Sequence, residues 1–470
     1  MYNHDISSLF YPRSIAVIGA TNKKARAGGI IFQLLQSSNI ELYPVHPKEK
    51  EISGIRAYAS AEDLPSGIDL AIIAVEAQKG LDAAKSCAKK GVAHLIVVAG
   101  GFSETGEQGS QLEQRLQEIS KQYGTRILGP NTLGVFQPEN KLDTIFVEHG
   151  DQALAGGGGV SFISQSGSVG VEALGLASNT GFGMRAFVGL GNKCDLNELD
   201  FLRYFERDSR TTCLAFYLES LDQGRKFLEE AERTARKKPV VILKAGSSET
   251  GASAVSSHTG RLGGSNRVIS GAFRQYGIQM ARDDEELCDA AKTLSELQPP
   301  SGNKVALLTP AGGYGVMGAD YVESKKERIQ LVMAELRESS KQRMRQISFP
   351  FAAVNNPVDL TASVTDNMMG EALQCLLEDP GVDIIICTAF FAPPGLSEDL
   401  VGIIGNLMTY SNKPIIVFTQ YGPFTDRYLL KFHEAGIVGF PSMSRAIRAA
   451  RLLVERAEIL KSFQAKMNLP

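Results

Sequence analysis

The sequence predicts an α/β protein with three domains, the first of them Rossmann-like. Short apolar runs recur along the chain with helical stretches between them, which is typical of parallel strands covered on both faces. A glycine run and a Pro/Gly/Ser segment interrupt this series twice. The length of 470 residues also favours several domains, since one domain usually holds about 100–200 residues.

The first domain is predicted over residues 1–148. Its strands are SIAVIGA (14–20), ELYPVHP (41–47), DLAIIAV (69–75), HLIVVAG (94–100) and TRILGP (125–130). The second domain, 149–298, follows the glycine run at 156–159. Its strands are GVSFISQ (159–165), MRAFVGL (184–190), TCLAFYLE (212–219) and PVVILKAG (239–246). The third domain, 299–470, begins at the segment LQPPSGNK, and its strands are KVALLTPAGG (304–313), VDIIICTAF (382–390) and KPIIVFTQYG (413–422).

Composition excludes several classes of function. A net charge of −3 gives no general attraction to nucleic acid, so no nucleic-acid partner is expected. The start lacks a secretory signal, and no run approaches the roughly 18 apolar residues of a membrane span. A cytoplasmic protein without a membrane partner is expected. The six cysteines are scattered without a CxxC pair, which predicts buried thiols and no metal site.

The turn after the first strand is a candidate phosphate site. Gly19-Ala20-Thr21 and Lys23 precede a helix that begins near two glycines, and a helix N-terminus offers free N–H groups to a phosphate. The spacing departs from G-x-G-x-x-G, so a simple tight turn is the alternative. Lys48 follows the second strand, where a dinucleotide enzyme would place an acid. A lysine there suits an extra phosphate, although the residue taken by itself favours a solvated lysine in a proline turn.

The second domain contributes a second candidate anion site. Ser166, Gly167 and Ser168 join a strand to a helix, so their N–H groups and hydroxyls are expected at the helix N-terminus. A serine-hydrolase elbow is disfavoured because that motif requires glycine in place of Ser164.

His258 lies in a run of small residues, SSHTGRLGG, which predicts an accessible imidazole in a loop. Such a ring can accept phosphate on nitrogen when a partner orients it. Glu219, at the end of an apolar strand, is the candidate partner, and its alternative role is that of an ordinary acid in the first turn of a helix.

Taken together, the motifs resemble those of a known family. They are GAT…GG, YPVHPK, AGGFSETG, GPNTLG, ISQSGSVG, GLGNKCDLNELDFLRYF, KAGSSETGASAVSSHTG, TPAGGYGV and NNPVDLT. Over about residues 8–455 the chain resembles the NDP-forming acyl-CoA (acetate–CoA) ligases of the succinyl-CoA synthetase superfamily.

The resemblance implies the α subunit of an ADP-forming acyl-CoA synthetase, a ligase that forms carbon–sulfur bonds. It implies a CoA-binding Rossmann-like domain and two flavodoxin-like (succinyl-CoA synthetase-like) domains. His258 would be phosphorylated and supported by Glu219, with phosphate received at Ser166, Gly167 and Ser168. The residues implied for CoA binding are Gly19, Ala20, Thr21, Lys23, Lys48, Val75, Gly100, Gly101, Phe102 and Asn131.

The same resemblance implies the reactants and the partner. The small-molecule substrates would be an acyl-CoA or carboxylic acid, coenzyme A and phosphate. ADP or ATP with Mg²⁺ would bind a separate ATP-grasp β subunit, in a heterotetramer, because an ATP-grasp domain is not found in this sequence.

Four residues depart from the family pattern, namely His46, Arg261, Gly263 and Asn266, which puts the acyl specificity and the docking of the His258 segment in doubt. Two alternatives stay open at this point. One is a non-catalytic CoA-binding regulatory protein of the same fold. The other is an NAD-dependent dehydrogenase, which the poor glycine motif disfavours.

Overall fold

A computed structural model describes residues 5–147, 157–259 and 266–467 of the chain, and it confirms the α/β fold class. The chain divides into two compact units. One comprises Met1–Ser178 and Gly183–Leu287, and the other comprises Asn179–Phe182 and Cys288–Pro470. The first unit contains two large sheets and the second contains one. The domain boundaries at 148 and 298 stay predictions.

The first sheet is parallel, with strand order β2-β1-β5-β6-β7, and β3 and β4 form a separate antiparallel pair. The strands are β1 Ser14–Ile18, β2 Glu41–Val45, β3 Glu51–Ile52, β4 Ile55–Arg56, β5 Leu70–Ile73, β6 His94–Val97 and β7 Arg126–Leu128. The helices of this part are α1 Ser7–Phe10, α2 Ala27–Leu35, α3 Ala77–Lys89 and α4 Glu107–Tyr123. Because Ile18 is in register with Val45 and Ile73, the turns after these strands meet at one edge of the sheet.

The second sheet has the order β14-β13-β12-β10-β11-β8-β9. Its strands are β8 Val135–Gln137, β9 Leu142–Asp143, β10 Val160–Ser164, β11 Met184–Gly189, β12 Cys213–Leu218, β13 Val240–Lys244 and β14 Gln279–Met280. Five of them are parallel, while β8 and β9 are antiparallel additions at one edge. The helices are α5 Gly167–Thr180, α6 Glu198–Arg207, α7 Gly224–Ala235, α8 Glu249–Thr259, α9 Asn266–Gln275 and α10 Asp284–Glu296.

The second unit is built on the third sheet, with order β16-β15-β18-β19-β20 and β17 also paired with β15, all parallel. Its strands are β15 Lys304–Thr309, β16 Val332–Met333, β17 Val358–Asp359, β18 Ile384–Thr388, β19 Ile415–Phe418 and β20 Gly439–Phe440. Its helices are α11 Gly312–Val322, α12 Glu338–Ile347, α13 Asp366–Glu378, α14 Asp399–Met408, α15 Thr425–Glu434 and α16 Met443–Met467.

The central strands lie in the cores of their units. Every residue of β1, β5, β10 and β18 is buried, as expected for parallel strands with helices on both faces. The six cysteines are buried and form no disulfide bond with one another, which confirms the prediction of buried thiols. In the part of the chain that the structure describes, no helix combines the length and the apolarity required to span a bilayer.

Candidate active site

A large cleft of about 910 Å³ opens at the carboxyl edge of the first sheet. It is lined by the turns that follow β1, β2, β5 and β6, together with the start of α2 and one face of α3. Ligands of parallel α/β sheets bind at this edge, and the volume falls within the range of small-molecule sites. The lining includes Ile18, Gly19, Thr21, Lys23, Arg26, Gly28, His46, Glu49, Val75, Glu76, Lys79, Val98 and Ala99.

The glycines of the first turn pack against each other. Gly19 has a φ of +90°, and a Cβ on Gly28 would lie 2.1 Å from the Gly19 carbonyl oxygen. The helix α2 can therefore begin directly against the end of β1 only without a side chain at residue 28. Although the glycine spacing departs from G-x-G-x-x-G, Gly19 and Gly28 allow β1 and α2 to approach as closely as in dinucleotide-binding domains.

Glu49 is a residue of the large cleft that the sequence analysis missed. Its carboxylate accepts hydrogen bonds from Thr21 Oγ1 (2.6 Å) and Asn22 Nδ2 (2.9 Å). The hydrogen bond from Thr21 is the main reason why the pKa of Glu49 lies below its usual value. An acid that lines the cleft therefore stands one residue after Lys48, four residues after the end of β2.

Of the two lysines implied for CoA binding, one lines the large cleft and the other does not. Lys23 is exposed and lines the large cleft, whereas Lys48 is exposed and is not among the residues that line it. His46 takes that place, and its Nδ1 accepts hydrogen bonds from the backbone N–H of Lys48 (3.2 Å) and Glu49 (2.9 Å). Arg26, at the start of α2, adds a second exposed cation to the cleft.

The predicted residues Gly100, Gly101 and Phe102 lie beyond the cleft lining. The backbone N–H groups of Gly101 and Phe102 donate to Glu104 Oε1 at 2.5 and 3.1 Å, so they are already paired within the protein. Ala20 is buried between the cleft residues Gly19 and Thr21. Among the residues implied for CoA binding, the cleft therefore brings together Gly19, Thr21, Lys23 and Val75.

A small pocket of about 270 Å³ lies beside the second sheet. Ser166, Gly167 and Ser168 line it at the start of α5, and Glu219 lines it from the end of β12. The remaining lining residues are Val98, Asn131, Thr132, Leu133, Phe146, Gln165, Gly191 and Asn192. The turn Ser166–Ser168 and Glu219, which lie about fifty residues apart in the sequence, therefore line the same cavity. Asn131, which the resemblance implied for CoA binding, lies in this pocket.

Local contacts fix the turn at the start of α5. Ser164 Oγ donates to the Ser166 carbonyl oxygen at 2.6 Å, and the Ser166 and Ser168 hydroxyls lie 3.1 Å apart. A Cβ on Gly167 would lie 3.5 Å from Leu133, which closes one side of the pocket. The first N–H groups of a helix favour an anion, and these hydroxyls can add further donors.

Asn192 joins the small pocket to the first sheet. Its Nδ2 donates to Glu104 Oε2 (2.6 Å), Glu113 Oε2 (2.9 Å) and Ser103 Oγ (3.2 Å). Its neighbours Gly191 and Lys193 both have φ values of +59°. This left-handed turn presents the Asn192 side chain to the loop after β6, a role that the GNK motif alone did not reveal.

His258 belongs to α8 and not to the loop that was predicted. The backbone of Glu249–Thr259 is helical, which corrects the expectation for residues 256–259; the preceding alanine-containing turns favour helix despite the small polar residues. The imidazole of His258 and the whole of residues 260–265, with Arg261 and Gly263, lie outside the described residues. Helix α8 lies against the turn Ser103–Thr105, whose residues contact Asn192 of the small pocket.

Val98, the residue after β6, lines both cavities. The large cleft and the small pocket therefore adjoin within the first unit. The arrangement can hold a long phosphorylated molecule in the cleft while one of its ends reaches an anion in the pocket. Among the described residues, no cluster of His, Cys, Asp and Glu has the arrangement of a metal site.

Comparison with known proteins assigns the two parts of the first unit to two domain families. A CoA binding domain matches residues 13–138, and a succinyl-CoA ligase like flavodoxin domain matches residues 157–294. The structure of a Candidatus Korarchaeum cryptofilum dinucleotide-forming acetyl-coenzyme A synthetase 1, in complex with phosphate and ADP, superposes with a TM-score of 0.90 at 30% identity, covering 100% of both chains.

Two protein relatives are similar over most of this chain. It is 35% identical over 455 residues to the α subunit of acetate–CoA ligase [ADP-forming] II of Pyrococcus furiosus, covering 96% of this chain and 97% of that one. It is 34% identical over 461 residues to acetate–CoA ligase [ADP-forming] I of Archaeoglobus fulgidus, covering 98% of this chain and 65% of that longer protein. These similarities confirm the resemblance to NDP-forming acyl-CoA ligases that the motifs indicated. They therefore argue against the alternative of an NAD-dependent dehydrogenase. The chain belongs to the family of ADP-forming acetate–CoA ligase α subunits.

Proposed function

We propose that this α subunit binds CoA in the large cleft. His258 then accepts a phosphoryl group at the small pocket and carries it to a partner subunit. The observation that carries the proposal is the shared residue Val98, which makes the cleft and the pocket adjoin. CoA phosphates would contact the start of α2 and the cations Lys23 and Arg26, while the thioester end would extend toward the pocket.

In the first step, a phosphate oxygen in the small pocket attacks the thioester carbonyl of an acyl-CoA. The carbon–sulfur bond breaks, an acyl phosphate forms, and the CoA thiolate leaves and is protonated. The N-terminus of α5 at Ser166, Gly167 and Ser168 holds the phosphate oxygens. Helix-terminal interactions of this kind contribute about 0.3–1 kcal/mol each.

In the second step, a ring nitrogen of His258 attacks phosphorus, the bond from phosphorus to the acyl oxygen breaks, and a carboxylate leaves. Glu219 would orient the imidazole and stabilise its positive charge, as a carboxylate does in other nucleophilic histidine sites. The position of α8 beside the Ser103–Thr105 turn supports an approach of His258 to this pocket.

In the third step, phosphohistidine transfers its phosphoryl group to ADP on the partner, and the reverse sequence makes acyl-CoA from a carboxylic acid, CoA and ATP. The partner subunit is proposed to be an ATP-grasp protein that holds ADP with Mg²⁺, in a heterotetramer with this chain. The longer Archaeoglobus fulgidus relative supports this, because about a third of its length lies outside the match.

The test is labelling of the purified chain with acetyl-CoA and ³²P-phosphate. We expect acid-labile, base-stable label in the wild type and in His433→Ala, a control in the second unit, and no label in His258→Ala. Label in the His258→Ala variant would overturn the assignment of His258. A wild type that binds CoA by calorimetry and takes up no label would instead identify a non-catalytic CoA-binding protein.

A further inference from the structure

Gln165 connects the two sides of the small pocket. It is the last residue before the Ser166–Ser168 turn, and it is buried, with 7% of its surface exposed. Its side-chain oxygen accepts hydrogen bonds from the backbone N–H groups of Glu219 (2.9 Å) and Ser220 (3.1 Å). Its side-chain nitrogen donates to Ser220 Oγ at 3.2 Å. All three contacts of this amide go to the turn that carries Glu219.

Lys193 holds the same turn from another direction. Its ammonium group donates to the Ser220 carbonyl oxygen and to Ser220 Oγ, both at 3.0 Å. The side chain is fully buried and forms an ion pair of 3.0 Å with Glu198, which is equally buried. Ser220 is therefore fixed by a charged group on one side and by the Gln165 amide on the other.

We propose that Gln165 is a positioning residue that fixes the Glu219 carboxylate relative to the anion-binding start of α5, with Lys193 and Ser220 completing the support. This inference rests on the proposed function of the pocket. The backbone of Gln165 continues directly into the Ser166–Ser168 turn, where phosphate is proposed to bind. Its side chain hydrogen-bonds to the turn that carries Glu219, the proposed partner of His258. One amide thereby sets the separation between the group that holds phosphate and the group that orients the imidazole.

The polar pairing also explains why this residue is buried at the pocket. A glutamine offers an acceptor for two N–H groups and a donor for one hydroxyl, which matches the three groups present. Loss of that side chain would leave two buried N–H groups of residues 219 and 220 without this acceptor. The turn would then relax, and the carboxylate would move relative to the phosphate.

The experiment compares Gln165→Ala with Gln137→Ala. Gln137 is also a buried glutamine and lies in strand β8. Its side chain donates to Tyr11 Oη (2.8 Å) and accepts from the Asn140 N–H (3.2 Å), away from the pocket. We expect the labelling rate of Gln165→Ala to fall by roughly tenfold to a hundredfold, because a misplacement of about 1 Å can cost that much. The acetyl-CoA concentration for half-maximal rate should be unchanged, since Gln165 does not line the large cleft.

A second variant separates positioning from overall packing. Gln165→Glu keeps the acceptor oxygen for both N–H groups, so its rate at saturating phosphate should exceed that of Gln165→Ala. Its added negative charge should raise the phosphate concentration for half-maximal rate about tenfold or more, since like charges brought together at a desolvated site repel each other. A merely structural glutamine would not produce this split between the two variants.

The outcomes are distinct. If the wild type takes up no label, the proposed function fails. If the wild type is labelled but Gln165→Ala matches it, or falls only as far as Gln137→Ala, the positioning role of Gln165 is rejected. A Gln165→Glu variant no faster than Gln165→Ala at saturating phosphate would reject it as well.

Discussion

Thr21 Oγ1 donates a hydrogen bond of 2.6 Å to Glu49 Oε1 within the large cleft. The bond ties the turn after β1 to the turn after β2, and it lowers the pKa of the Glu49 carboxyl. Near neutral pH, the cleft in which we place a polyanionic ligand therefore includes a carboxylate.

Glu49→Gln should strengthen CoA binding. Glutamine keeps an acceptor for Thr21 and removes a charge that repels phosphate, so the dissociation constant should fall by about threefold at low ionic strength and less at high salt. Calorimetric titration with CoA measures the change. Glu41→Gln, which alters an exposed acid outside the cleft lining, serves as the control. Unchanged or weaker binding by Glu49→Gln would contradict the proposed placement of the CoA phosphates.

Gly28→Ala should abolish the close approach of α2 to β1. The new Cβ would lie 2.1 Å from the Gly19 carbonyl oxygen, so the helix must shift, at a cost of about 1–3 kcal/mol. CoA affinity should fall at least about tenfold, which corresponds to 1.4 kcal/mol. Gly80→Ala in α3 is the matched control, because its nearest contacts would be ordinary ones of 3.5 and 3.6 Å. Equal CoA affinity in both variants would exclude the start of α2 from the site.

Lys193→Met should destabilise the first unit strongly. It leaves Glu198 buried without its ammonium partner, and breaking a buried pair in this way costs about 3–5 kcal/mol. Urea unfolding followed by far-UV circular dichroism measures the loss of stability, since the chain contains no tryptophan for fluorescence. Lys237→Met removes a lysine that is 63% exposed from its pair with Glu206, and it should cost only about 0–1 kcal/mol. Similar midpoints for the two variants would show that the buried pair contributes little.

Acid should weaken the first unit through His94. Burial, reinforced by the nearby Arg126, lowers the pKa of His94 from its usual 6.5 to about 4. Between these values the unfolded chain binds a proton that the folded chain does not, so stability falls as pH drops through this window. The loss should reach about 3 kcal/mol near pH 4.

Urea midpoints at pH 6.5 and pH 5 measure this dependence before most carboxylates titrate. His94→Gln should flatten it, whereas Ser8→Ala should retain it, because it removes only the 2.7 Å contact to His94 Nδ1 and leaves the buried ring. An unchanged slope in His94→Gln would assign the dependence to other groups.

The central strands were predictable because burial on both faces requires continuous apolar sequence. The runs at 14–18, 160–164 and 384–388 are fully buried strands, as predicted. The strands β8 and β9 at one end of the second sheet were not predicted. They are three and two residues long, and they join the sheet through antiparallel pairing of β8 with β11 and of β9 with β8, which periodicity does not encode.

The candidate site was predictable in its parts and not in its connections. Ser166 and Glu219 were singled out because each follows a strand, and they do share a cavity. Glu49 was not singled out, and Gln165 was quoted within the ISQSGSVG motif without a role of its own, since a polar residue after a strand is common in any α/β protein. Their roles depend on distant partners, Thr21 in one case and the backbone of residue 219 in the other.

The antiparallel edge of the second sheet has a practical consequence for dissecting the protein. Residues 135–143 precede the glycine run, yet their strand β8 pairs with β11, and β9 pairs with β8. A fragment cut at residue 148 would carry two strands stripped of their neighbour, and the complementary fragment would expose β11 as a bare edge open to self-association. Either fragment expressed alone should therefore be insoluble. Fragments divided before residue 135, which keep β8 and β9 with the second sheet, should avoid this.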